Sequence, residues 1–432
     1  MKRNTVLLLL LTSLLALSPG RAEAQLFKKL FGGERQNKKT EKRRTPPAKP
    51  APVKEKPKPN KKPEPFRYPP SDMKARYRVD VLAPLYLDEL VKNNKPVYKK
   101  ELPVKAEAGI GFYEGLRLAS DSLTRAGYRM DVYVHDITGP GQDPEMLIKQ
   151  GLLDESDLLI GLVMSEQIPA LANFAKSKQI NFVSALSPSD GGVSNNPWFT
   201  LLQPSLRSHC EFIREQLAAR KDKKRALLYH RKSNPTDDFA WQVLAADSLF
   251  SRVHVAADKL PQTGQLFLLL DSTRPNTIVM PVIDPYYAQT LVTQLTTNFP
   301  GYAFEIYGLP SWKGSELLRL QDSTGNLVFH ITEPFYYDPT TSQQLMGQYK
   351  KLFSGKPTEM VFRGYETLFW YGRLLQLYGN RFNEHMAERG MGIYTPFTIR
   401  LQYTPDHAPR YNENQHLYLM RYQNGSMQVE VD

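Results

Sequence analysis

The side chains able to do covalent, acid–base or metal chemistry are few in this chain, and they are scattered. Its eight histidines include no pair at metal-ligand spacing with a carboxylate partner, so no zinc or other metal site is expected. The single cysteine, Cys210, stands next to His209 on a stretch with helical spacing. Sequence neighbours on a helix face different ways, so Cys210 reads as a small buried apolar residue and not as a nucleophile. Ser354-Gly355-Lys356 runs into Pro357 and lacks the upstream glycine of a phosphate-binding loop. No Gly-x-Ser-x-Gly nucleophile elbow occurs. The acidic pairs Asp154-Glu155 and Asp237-Asp238 sit in polar stretches and read as solvated charge or helix-start acids. No catalytic residue and no cofactor is expected. The chemistry left is that of binding.

The elements that would position such a site alternate between strand and helix. Arg78–Leu85 is an apolar run read as a buried strand, followed by helical spacing at Phe112, Leu116, Ala119 and Leu123 that ends at Gly127. Met130–His135, Asp157–Val163 and Ile180–Ser184 read as further strands, with helices at Pro144–Leu153 and from Ser165 through Phe174. The pattern then starts again. Helices at Leu206–Arg220, Phe239–Phe250 and Tyr286–Thr297 alternate with strands at Arg225–His230, Arg252–Val255, Thr277–Val282, Phe304–Gly308 and Leu327–Ile331. Two helices, Ser342–Phe353 and Tyr365–Leu377, come next. Three strands close the chain, at Phe397–Tyr403, His416–Tyr422 and Met427–Val431, with Asn424-Gly425 as a hairpin turn. This order predicts an α/β protein of two Rossmann-like lobes with parallel sheets. Two such lobes joined at their strand ends leave a cleft between them.

Charge separates this body from what precedes it. The 432 residues carry a net charge of +12, but residues 1–75 alone hold +13 and residues 76–432 hold −1. A neutral body removes the case for nucleic-acid binding, which needs its basic patch on the fold. Lys2 and Arg3, the apolar run Val6–Leu17 and Ala22-Glu23-Ala24 form an export signal at 1–24, with cleavage before Gln25 and a periplasmic destination. A lone cysteine permits no intramolecular disulfide. Residues 25–75 contain ten prolines, with sixteen basic against five acidic side chains, the composition of an extended basic linker. Such a linker is either a solvated spacer or a tether to anionic lipid or cell-wall polymer. Leu26-Phe27-Lys28-Lys29-Leu30-Phe31 adds a small amphipathic patch.

Several segments resemble the type I periplasmic binding proteins, the branched-chain-amino-acid-binding family. They are the opening strand Val79–Leu85, the helix with Phe112-Tyr113-Glu114-Gly115, and Leu158-Leu159-Ile160-Gly161 followed by Ser165. Asn181–Ser187, Asn196-Pro197-Trp198-Phe199, Pro204-Ser205 and Gly364-Tyr365-Glu366 continue the likeness in the same order. Gly364 falls where that family starts a helix with glycine-tyrosine-aspartate. The signal-plus-stalk layout also resembles exported homologues of Bacteroidetes-type bacteria. The resemblance implies three crossings between lobes, with lobe 1 at 76–203 plus 335–392 and lobe 2 at 204–334 plus 393–432. It further implies that Ser165, Glu166, Ser184, Ser187 and Ser189 meet an anionic group on the ligand. Asp284, Tyr286 and Trp312 would supply the carboxylate and the rings. Five of them have a plainer alternative: Ser165 and Asp284 as helix caps, Ser187 and Ser189 as turn residues around Pro188, Trp312 as cover for the core edge. The stretch Lys232–Asp238 departs from the tyrosine-glycine pair of relatives that bind amino acids, which weighs against an α-amino-acid ligand.

Two functions of different class fit these features. One is a solute receptor that closes its lobes over a small polar ligand for uptake by an ABC-type transporter or for a membrane sensor. The other is an interaction protein of the cell envelope that keeps the fold without the pocket and is tethered by its basic stalk.

Overall fold

A computed structural model of the chain describes residues 66–430 apart from 99–100, 221–225, 233, 246–248, 257–258, 321–324, 354 and 389–392. The expected export signal, the Leu26–Phe31 patch and the linker up to residue 65 lie outside the described residues.

The first half of the chain runs β1 (Tyr77–Ala83), α1 (Leu87–Leu90), the short ribbon β2 (Val91–Lys92) and β3 (Lys95–Pro96), then α2 (Val104–Arg125) and β4 (Met130–Asp136). It continues with α3 (Pro144–Lys149), β5 (Leu158–Gly161), α4 (Ile168–Lys178), β6 (Asn181–Ser184) and β7 (Phe199–Leu201). The second half opens with α5 (Leu206–Ala219), β8 (Ala226–Arg231), α6 (Pro235–Leu244), β9 (Phe250–Val255), α7 (Thr263–Phe267) and β10 (Asn276–Val279). Next come α8 (Pro285–Asn298), β11 (Phe304–Gly308), β12 (Leu327–Glu333), α9 (Gln343–Leu352) and α10 (Glu359–Tyr378). The chain ends with β13 (Ile399–Tyr403), β14 (Pro409–Asn414), β15 (Tyr418–Gln423) and β16 (Ser426–Glu430).

The strands form two seven-stranded sheets, ordered β13-β14-β7-β6-β5-β1-β4 and β16-β15-β12-β11-β10-β8-β9. Pairing in both sheets is parallel except where β13 joins β14, where β15 joins β12 and where β16 joins β15. The strands are apolar because helices cover both faces: every residue of β5, β6 and β10 is buried. In lobe 1, α2 and α10 pack on one face and α3 and α4 on the other. In lobe 2, α8 covers one face while α5 and α6 cover the other. This is the two-lobed parallel α/β architecture that the element order predicts.

Three differences from the sequence expectation have clear physical causes. First, residues 393–432 do not all belong to lobe 2. β13 and β14 extend the first sheet, with Asn412 and Glu413 paired to Thr200 and Leu201, so the third crossing falls at residues 415–417. The extra strand β14 was invisible because Pro409-Arg410-Tyr411-Asn412-Glu413-Asn414 is polar in composition, although Tyr411 through Asn414 are buried. Second, the expected linker ends early. The Tyr68 hydroxyl donates to the Pro197 carbonyl at 3.1 Å, its ring meets Trp198 edge-on at 5.4 Å, and the Asp72 amide donates to Asn380 Oδ1 at 3.0 Å. Gly379 (φ 79°) is needed here, because a Cβ would stand 2.4 Å from Ser71 Oγ. Third, α6 starts at Pro235 and α10 at Glu359, well before the expected Phe239 and Tyr365. Asn234 caps α6 through its side chain with proline at the first position, a start signal that outweighs the later apolar periodicity. Gly364-Tyr365-Glu366 therefore lies inside α10, not at its start.

Gly364 and Gly115 explain how α2 and α10 pack so closely. A Cβ on Gly115 would stand 2.0 Å from the Val361 carbonyl oxygen, and one on Gly364 would stand 2.1 Å from that of Phe112. The two backbones touch at a reciprocal glycine contact.

Candidate functional site

The strand ends of lobe 1 that face the junction carry the expected serines. After β5 the chain makes a single tight turn, Ser165–Gln167, and the Gln167 side chain accepts from the Met164 amide at 3.0 Å. Ser165 does not cap α4. Its hydroxyl lies 3.4 Å from Glu166 Oε2 at the surface. After β6, Ser187 Oγ accepts from the Ser189 amide at 3.1 Å, and Ser189 Oγ accepts from the Gly191 amide at 3.2 Å. Both serines thus hold their own turn. Ser184 is fully buried and its hydroxyl has no partner among the described residues. The two loops meet, since a Cβ on Gly191 would stand 2.6 Å from the Ser165 carbonyl oxygen.

Lobe 2 uses its three expected residues differently. Asp284 caps α8, accepting from the amides of Tyr286 and Tyr287 at 3.0 and 3.4 Å. Tyr286 stands on the first turn of α8 with 72% of its surface exposed. Trp312 is fully buried in the lobe 2 core, where its indole N–H donates to the Val282 carbonyl at 2.7 Å. The structure therefore does not bring a Trp312 ring to a ligand. The signal for this was already present: the tight turn Pro310–Trp312 directly after β11 folds the ring back over Gly308, whose missing side chain makes room for it.

The polar residues that do meet at the lobe junction were not singled out in the sequence. Lys313 follows Trp312 on lobe 2, and its ammonium lies 3.4 Å from Glu333 Oε2 at the end of β12. It also lies 3.5 Å from Glu359 Oε2, at the start of α10 in lobe 1. Glu359 accepts in turn from Arg363 Nη2 at 2.8 Å. Arg363 Nη1 donates to Gln203 Oε1 at 3.0 Å, on the first crossing, and the guanidinium stands 3.9 Å from the Phe335 ring, on the second. On the third crossing side, Glu413 accepts from the Ser205 amide at 2.9 Å and from the Ser208 hydroxyl at 2.6 Å.

Burial sets the charge states here. It pushes the Glu333 carboxyl up to about 7 against the pull of Lys313. One turn further along α10, Glu366 has no exposed surface and is pushed up to about 8 by burial, although it accepts from the amides of Tyr394 and Thr395. Only their charges, and no periodic pattern, marked Lys313, Glu333, Glu359 and Arg363 in the sequence. What places them together is the path of the chain through the crossings.

Elsewhere, Asp237 is not solvated: it is buried and pairs with Arg231 at 2.7 Å, while Asp238 lies 2.6 Å from His230 Nε2. Asp154 is exposed and pairs with Lys178 at 3.0 Å. Cys210 is buried as expected, which pushes its thiol up to about 12. Among the described residues no three His, Cys, Asp or Glu side chains are placed to hold a metal ion, and no helix is long and apolar enough to cross a membrane. Two cavities of about 260 and 360 Å³ lie away from the junction, one at the start of β8 and β10, the other between Phe66, Tyr68 and β13.

The fold is that of the type I periplasmic binding proteins. No protein-family model matches the chain, and no curated protein matches it. The likeness is to solved structures. A branched-chain amino acid ABC transporter periplasmic ligand-binding protein of Burkholderia xenovorans LB400 is 14% identical, with TM-score 0.54 over 82% of this chain and 94% of that one. An ABC transporter substrate-binding protein of Desulfitobacterium hafniense is likewise 14% identical, with TM-score 0.52 over 82% and 100%. LpoA of Haemophilus influenzae is 15% identical, with TM-score 0.51 over 84% of this chain but only 59% of its own.

Proposed function

We propose that this protein is an exported receptor that closes its two lobes over a small polar solute, for delivery to a membrane transporter or sensor. The observation that carries this reading is the meeting of the loops after β5 and β6 at the lobe 1 strand ends, with Ser165, Ser187 and Ser189 on them and Ser184 ending β6. Short turns rich in hydroxyls and amides at such strand ends suit an anionic or hydroxyl-bearing group. The commitment of Asp284 to a helix cap and of Trp312 to the core weighs against a solute recognised through an α-ammonium group. In this reading residues 1–24 direct export, residues 25–65 form the basic tether, and the folded body begins near Phe66.

A specific observation favours a second reading. Lys313 and Glu359 join the lobes directly, as an interaction protein without a solute would require. Thermal melting of the protein against amino acids, short peptides, sugars and nucleobase compounds separates the two. A solute at 100 times its dissociation constant adds ~2.7 kcal/mol of stability, a shift of several degrees. A shift confined to one chemical class supports the receptor and names its ligand class. Flat melting curves across all four classes, from folded protein, would refute it in favour of the interaction protein.

A further inference from the structure

We propose that Lys313 is a built-in latch that holds the two lobes together in the absence of any solute. The inference goes beyond the receptor reading and takes from it only that the two lobes open and close. Lys313 sits on lobe 2, directly after the turn at Pro310–Trp312, and that turn is immobilised because Trp312 is fully buried in the lobe 2 core. Its ammonium is placed between two carboxylates of different origin. Glu333 ends β12 within lobe 2, whereas Glu359 opens α10, which packs on α2 in lobe 1. Only the second contact spans the lobes.

Glu359 is itself held in place. Arg363, one helical turn later, donates to it at 2.8 Å and is fixed by Gln203 on the first crossing and Phe335 on the second. The latch therefore ends beside the crossings: Lys313, on lobe 2, can part from Glu359 while Arg363 keeps its partners. A loop lysine on one lobe facing an anchored carboxylate on the other gives the closed arrangement a contact that no ligand has to supply. Lys313 and Glu359 keep 41% and 37% of their side-chain surface exposed, so the attraction is screened and modest. A modest contact of this kind tunes an open–closed equilibrium without locking it.

The test is a distance measurement between spin labels placed at Glu145→Cys on lobe 1 and Thr290→Cys on lobe 2 of the full chain; the buried Cys210 thiol stays unlabelled. Lys313→Gln and Glu359→Gln should each shift the distance distribution toward longer separations. The closed-to-open ratio should fall by about two- to five-fold, the range that an ion pair at this exposure supports. The double variant should fall no further than either single change. Glu333→Gln, which removes the partner within lobe 2, should leave the distribution closed, and so should Glu316→Gln, which removes an exposed pair with Arg319 elsewhere on that lobe. Circular dichroism confirms that each variant is folded. Unchanged distributions in both Lys313→Gln and Glu359→Gln, or equal opening in Glu333→Gln, would overturn the latch.

Discussion

Glu366 offers a direct test of the electrostatics of the lobe 1 core. Its carboxyl has no exposed surface, accepts from two backbone amides with Oε1, and has Tyr337 close by. Burial raises it from 4.5 to about 8, so the folded chain keeps a proton that the unfolded chain releases. A carboxyl raised in this way contributes stability below pH 4.5 that is lost as pH climbs through 8. At ~1.4 kcal/mol per pH unit between those limits, the loss is about 3 kcal/mol by pH 7 and about 5 kcal/mol above pH 8. Glu366→Gln keeps the acceptor for both amides and presents an N–H where the carboxyl presents its proton. The variant should therefore match the natural chain near pH 4.5 and exceed it by about 3 kcal/mol at pH 7 and about 5 kcal/mol at pH 9. Urea unfolding followed by tryptophan fluorescence at the three pH values reads this directly, because Trp370 is buried on the same helix. Glu333, raised to about 7, loses stability over a similar window in both proteins and so cancels from the comparison. A difference that stays constant from pH 4.5 to 9 would refute the argument, since it would mean that Glu366 ionises in the fold at the same pH as in the open chain.

Gly115→Ala and Gly364→Ala should each destabilise lobe 1 by about 3 kcal/mol or more, because each new methyl meets a backbone carbonyl and not a movable side chain; denaturant unfolding of the two variants checks this, and a loss below 1 kcal/mol would show that the helices slide apart freely. Asp284→Ala should cost about 1 kcal/mol as a lost helix cap, while Asp284→Asn and Asp284→Ser should restore most of it; rescue failing with both would point to a role for the charge beyond capping. Cys210 should not react with an aromatic disulfide reagent in native protein and should react fully in urea, since burial pushes its thiol up to about 12; rapid modification of the native chain would contradict its placement in the lobe 2 core.

The fold was legible because its signals are local and redundant. Leu158–Gly161 is a short, continuous apolar run, and with the neighbouring Asn181–Ser184 it proved to be a fully buried central strand. Asn424-Gly425, which also matches a glycosylation pattern, takes positive φ values of 51° and 71° and closes the β15–β16 hairpin. Gly115 and Gly364 could be picked out by their wording, yet what they do needs the other helix: one residue type at two distant positions is explained only by the backbone contact between them.

The site was less legible for a related reason. Ser187, Ser189 and Asp284 each have two physically sound uses, one inside their own turn and one toward a solute, and sequence spacing is the same for both. The structure shows the first use for all three. Trp312 was separable in principle, because a tight turn after a strand whose last residue is glycine leaves the ring a place to fold back. Lys313, Glu333, Glu359 and Arg363 were not separable at all. They lie on three segments spread over 51 positions, and a charged residue on a polar stretch carries no mark of the partner it will meet. Their meeting is set by the second crossing, between β12 in the second sheet and α10, which packs on α2 in lobe 1. The residues that govern the junction are therefore fixed by topology and not by the local sequence around them.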